Sequence, residues 1–70
     1  MLCQGNACEK VTVSWSQAEG VYLVANRSER TVLVRFVSLG TVTEIVLSAE
    51  AVGRVRASSF DVPYYAQFLQ

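Results

Sequence analysis

A small all-β domain, an antiparallel sandwich or barrel of five to six strands, is the fold this sequence predicts. Three observations carry that prediction. Twelve of the 70 residues are valine, and β-branched side chains lose rotamer freedom in a helix but suit a pleated surface. Apolar and polar residues alternate through several short runs. Turn-forming clusters separate these runs at intervals of roughly ten residues, the spacing of small sandwiches and barrels.

The elements follow in chain order. Residues 1–9 form an N-terminal segment that carries both cysteines. Lys10 to Trp15 alternates, with Val11, Val13 and Trp15 on one face and Thr12 and Ser14 on the other. Ser16 to Gly20 is a turn, and Val21 to Ala25 a second strand. Asn26-Arg27-Ser28-Glu29-Arg30 is a polar connection of hairpin length. Thr31 to Val37 is the third strand, with Val32, Val34 and Phe36 opposite Leu33, Arg35 and Val37. Ser38-Leu39-Gly40 reverses the chain into Thr41 to Leu47, where Val42, Glu44 and Val46 lie opposite Thr43, Ile45 and Leu47. Ser48 to Ala51 leads to Val52–Ala57. The last segment, 58–69, has two readings. Asp61 near a cap and Pro63 in a first turn fit a short C-terminal helix. An edge strand, where proline is tolerated, is the favoured reading.

Composition bounds the function. The length allows a single domain, residues 1–70. Six Lys+Arg balance six Asp+Glu, so the cationic excess that drives nucleic-acid binding is missing. A hydrophobic share of 51% excludes disorder. No apolar run reaches the roughly 18 residues of a membrane span. A chain this short has a thin folding balance and commonly needs a disulfide, a metal or a partner. The strands at Val21–Val24 and Thr31–Val37 are apolar on both faces, yet a sheet this small has one core. Their second face is expected to meet a protein partner or a second copy of the chain.

Cys3 and Cys8 flank Gln4-Gly5-Asn6-Ala7, and Gly5-Asn6 is turn chemistry. A bridge across this loop contributes roughly 2–3 kcal/mol in the chain-entropy model and implies an oxidising, extracytoplasmic compartment. Two free thiols are the alternative. The opening Met1-Leu2-Cys3 lacks the basic and apolar stretches of a secretory leader. Two cysteines without histidine supply too few ligands for a zinc site, so no metal or other cofactor is expected.

Catalysis is poorly supplied. With no histidine, the commonest general base is missing. Among Glu9, Glu19, Glu29, Glu44, Glu50 and Asp61, only Glu44 lies well inside a strand, flanked on its face by Val42 and Val46. Partial desolvation there would suit a general base. An ion pair with Arg35, Arg54 or Arg56 is the favoured alternative. A nucleic-acid surface combining Arg27, Arg30, Arg54 and Arg56 with Tyr22, Tyr64, Tyr65 and Phe60 follows the logic of stacking platforms, but net charge opposes it. An enzyme whose site forms between subunits is a further alternative. The reading adopted is a non-catalytic interaction or structural module. Its candidate contact residues are Tyr22, Arg35, Arg54, Arg56 and the aromatic tail Phe60, Tyr64, Tyr65 and Phe68, since aromatic and arginine side chains are favoured at interface centres. Closure of the domain's own core is the rival role for the tail.

Val21 to Phe36, with its Asn26-Arg27-Ser28 turn and Val32-Leu33-Val34-Arg35-Phe36 strand, followed by Ile45 to Glu50, resembles the middle of immunoglobulin-like bacterial β modules. The resemblance covers about half the chain and implies adhesion or scaffolding. It carries over no functional residue. The chain departs from the pattern in length, since a full module takes about 100 residues, and in having both cysteines before Trp15. Asn26-Arg27-Ser28 also matches an N-glycosylation acceptor.

Overall fold

The computed structural model describes residues 2–38, 40–56 and 62–69. Among them the chain forms seven strands: β1 (Cys3–Gln4), β2 (Val11–Ser16), β3 (Val21–Asn26), β4 (Val32–Ser38), β5 (Thr41–Leu47), β6 (Val52–Arg56) and β7 (Tyr64–Phe68). A single 3-10 turn, Cys8–Lys10, precedes β2. β2, β3 and β6 make a three-stranded sheet in the order β2-β3-β6. The other sheet has four strands in the order β1-β7-β4-β5. Every pairing is antiparallel except β1 with β7. The two sheets do not close on one another, which makes this a sandwich and not a barrel.

The C-terminal segment takes the favoured extended form, but β7 lies between β1 and β4 and not at a sheet edge, and the strand count also differs. The strand count exceeds five or six because β1 is two residues long, too short to show a period. The C-terminal segment is extended, not helical: Tyr64 and Ala66 are buried while Tyr65 and Gln67 are exposed, a period of two. β7 completes the sheet by pairing with β4 over Val32↔Phe68 to Phe36↔Tyr64. Pro63 sits just before it, where no ladder donor is lost. The proposed helix cap at Asp61 falls outside the described residues, as do Phe60 and Ala57.

The core follows from the registers. β2 turns Val11, Val13 and Trp15 inward, as their alternation with Thr12 and Ser14 predicts. Tyr22, Val24, Val32 and Val34 are the largest fully buried side chains. An aromatic ladder ties the layers together. Trp15 meets the edge of Tyr22 at 5.0 Å, Tyr22 stacks on Phe36 at 5.0 Å, and Phe36 stacks on Tyr64 at 5.5 Å. It therefore runs from the three-stranded sheet into the four-stranded one, in geometries favoured by the ring quadrupoles.

A buried polar hub fastens the loops at one end. Asn26, 2% exposed, donates from Nδ2 to the carbonyls of Arg30 (2.7 Å), Leu47 (3.2 Å) and Ser48 (2.9 Å). Its Oδ1 accepts from the Ser28 amide at 3.0 Å and the Ser28 hydroxyl at 2.7 Å. The Ser28 hydroxyl in turn accepts the Arg30 amide at 3.2 Å. The β3–β4 loop and the β5–β6 turn are thus clasped through one amide group, and buried polar atoms this deep require such satisfaction.

Candidate interaction surface

The outer face of the four-stranded sheet is built by alternation. β4 turns Leu33, Arg35 and Val37 outward because Val32, Val34 and Phe36 fill the core. Register places Val46, Glu44 and Val42 of β5 opposite them. On the other flank, Gln67 and Tyr65 of β7 lie opposite Leu33 and Arg35, and Gln4 of β1 lies beside Tyr65. Three rows result: Gln67–Leu33–Val46, Gln4–Tyr65–Arg35–Glu44, and Val37–Val42.

Exposure decides the character of this face. Val46 is 57% exposed, Val42 56%, Tyr65 43% and Val37 37%. The middle row is crossed by an ion pair, Arg35 Nε to Glu44 Oε2 at 2.6 Å. Both partners are substantially solvated, so the pair contributes at most about 1 kcal/mol. Glu44 is accordingly not the desolvated carboxylate that a general base would require. Its flanking valines face water with it.

Beside Tyr65 the surface dips into a cleft of about 340 Å³ lined by Leu2, Gln4, Val37, Pro63, Tyr64 and Tyr65. Two of its walls, Leu2 and Gln4, belong to the N-terminal segment, which the Cys3–Cys8 disulfide closes into a loop. The outer face of the three-stranded sheet differs. It presents Thr12, Ser14, Arg54 and Arg56, with Arg54 paired to Glu19. Val52, 69% exposed, shares that face with the half-buried Leu23 and Ala25, while Val37, Val42, Val46 and Tyr65 gather on the four-stranded sheet.

The structure separates the expected contact residues. Tyr65 and Arg35 lie together on the apolar face. Arg54 and Arg56 are exposed on the opposite sheet. Tyr22 is fully buried, and its hydroxyl accepts the Val62 amide at 3.2 Å. It is a core residue, because β3 is the central strand of its sheet and Tyr22 lies on the inner side. Tyr64 is likewise turned inward against Phe36. Phe68 is half-buried at the end of the core, under the Arg30 guanidinium at 4.0 Å from its ring centre. Phe60 lies outside the described residues. With Tyr22 and Tyr64 inside, the stacking-and-charge surface drawn from the sequence is not assembled.

Asn26 is also corrected. Its Nδ2, the atom a glycan would join, is held by three carbonyls in the buried hub. The three-residue match to a glycosylation acceptor is a loop clasp. Leu33, of the doubly apolar stretch 31–37, lies on this face too, together with Val42 and Val46, which the sequence did not single out as contact residues. The signal for Val42 and Val46 was their place on either side of Glu44 on one face of β5.

Burial raises the Tyr64 phenol above its ordinary value, because desolvation penalises the phenolate. The folded chain then holds this proton more tightly than the unfolded chain. Its contribution to stability is intact below the unfolded pKa of about 10 and is lost as pH rises through the higher folded value. Urea unfolding between about pH 8 and about pH 11 should show a decline above pH 10 that Tyr64→Phe reduces. An identical decline in the variant would assign the alkaline loss to other groups.

No helix among the described residues is long and apolar enough to cross a membrane. Comparison of the chain with protein-family models, curated proteins and solved structures found no match.

Proposed function

We propose that this chain is a non-catalytic interaction module that associates through the outer face of its four-stranded sheet. The observation that carries the reading is the grouping of Val37, Val42, Val46 and Tyr65 on that face, all partly or largely exposed. Exposed apolar side chains grouped on one sheet face favour an association site. The Arg35–Glu44 pair in its middle gives a partner something to register against, the usual role of charge in an interface. Self-association is the first form of the reading. The resemblance to immunoglobulin-like adhesion modules supports an interaction role, and the Cys3–Cys8 bridge supports an oxidising compartment.

The test is oligomeric state. Sedimentation velocity or light scattering at micromolar protein should detect a dimer or larger species. A Val42→Lys/Val46→Lys double variant, with both changes on the solvent side of β5, should be monomeric with an unchanged circular-dichroism spectrum. A wild-type chain that stays monomeric through the micromolar range, or a double variant that associates as wild type does, would remove this surface from consideration.

A further inference from the structure

We infer that the disulfide-closed N-terminal loop is a redox-sensitive strap that covers the outer edge of β7 and walls the cleft beside Tyr65. Reduction of Cys3–Cys8 releases it while the sandwich stays folded. The proposal does not depend on which partner the sheet binds.

The strap is attached almost wholly by backbone groups. The Tyr64 amide donates to the Leu2 carbonyl at 3.0 Å, and the Ala7 amide donates to the Ala66 carbonyl at 3.0 Å. Asn6 Oδ1 accepts the Phe68 amide at 2.9 Å. Between these contacts runs the two-residue parallel ladder Cys3↔Tyr64 and Gln4↔Tyr65. Successive β7 residues 64, 66 and 68 thus turn their edge-side groups to residues 2–7, while the opposite edge of β7 is taken by β4. Gly5 permits the approach. Its φ of +115° is open to glycine, and a Cβ there would collide with the Ala66 carbonyl oxygen.

Apolar anchorage is limited to Ala7 and the two cysteines, which pack against the core. Ala7 is fully buried and the two cysteines are half-buried, but Leu2 is 75% exposed, and Gln4, Gly5 and Asn6 are exposed as well. A ladder of two parallel pairs recovers little of the backbone entropy lost in ordering the loop. The disulfide lowers that cost by restricting the loop before it docks. Without the bridge, docking loses its main support. The remaining contacts of the sandwich, from β2 through the β4–β7 pairing, involve neither cysteine as a strand residue.

The chemistry balances with a thiol reductant. Two thiol equivalents supply two electrons and two protons. The Cys3–Cys8 S–S bond breaks, two cysteine thiols form, and the reductant leaves as its own disulfide. The edge-side groups of Tyr64, Ala66 and Phe68 then face water, and the cleft loses Leu2 and Gln4.

Residue-resolved amide hydrogen exchange on the whole chain, before and after dithiothreitol, tests this. Exchange at Tyr64 and Phe68 should accelerate about tenfold or more on reduction, while Val24 in the central strand β3 keeps its protection. A Cys3→Ser/Cys8→Ser variant should reproduce the reduced pattern without reductant. Asn6→Ala, which keeps the bridge, should accelerate Phe68 more than Tyr64. Unchanged protection at Tyr64 and Phe68 after confirmed reduction would overturn the strap. Equal acceleration of Val24 would also overturn it, by making the bridge a staple of the whole fold.

Discussion

Asn26→Asp should lower the stability of this domain by about 3–5 kcal/mol, a large fraction of what a chain of this size possesses. The change is one atom in size and reverses the chemistry of the site. In the native chain Nδ2 supplies the donors for the carbonyls of Arg30, Leu47 and Ser48. A carboxylate there would set a second acceptor oxygen against three others, at a position 2% exposed. Unsatisfied buried carbonyls and an unpaired buried charge each carry a heavy cost. The effect would spread, because the same corner holds the Asn26 amide on the Ala51 carbonyl and the Glu50 amide on the Ser28 carbonyl. Urea denaturation at neutral pH gives the value directly. Asn26→Ala separates the two contributions, since it removes the donors without adding charge and should cost less. A loss below about 1 kcal/mol for the aspartate variant would mean that the hub is dispensable.

Tyr22→Ala should cost about 3–5 kcal/mol, in the range for deleting a fully buried aromatic ring. Tyr22 is 0% exposed and sits between Trp15 and Phe36. Its removal breaks the aromatic ladder at the point where it crosses between sheets, so the cavity would be lined from both layers and could close only if the sheets moved. Tyr22→Phe keeps the ring and deletes the acceptor of the Val62 amide. Its expected cost is about 1 kcal/mol. Similar losses for the two variants would show that the hydroxyl, not the stacked ring, anchors this position. Thermal and urea unfolding of both variants decide the matter.

These two residues also show how far local pattern reaches. In β2 the alternation of Val11, Val13 and Trp15 with Thr12 and Ser14 leaves one face able to meet the core, and the inward side is legible. Adjacent tyrosines behave differently. Tyr64 and Tyr65 must point to opposite faces of β7, but nothing local chooses between them. Register with Phe36 and Arg35 makes that choice. Two of the three carbonyls that hold Asn26 come from Leu47 and Ser48, 21 and 22 positions away, so the local sequence, which supplies only Arg30 and Ser28, does not distinguish the hub from a glycosylation motif.

The all-β class, most strand positions, and an excess of apolar surface over what a single core can hide were determined by the sequence alone, because strand propensity and period-two alternation are properties of neighbouring residues. Which side of β4 and β5 is core, which aromatic rings are buried, and how residues 2–7 come to lie along β7 were decided only by the tertiary structure. Each face of those strands carries at least two apolar residues, so side-chain chemistry alone leaves the orientation weakly specified. Pairing across the sheets fixes it.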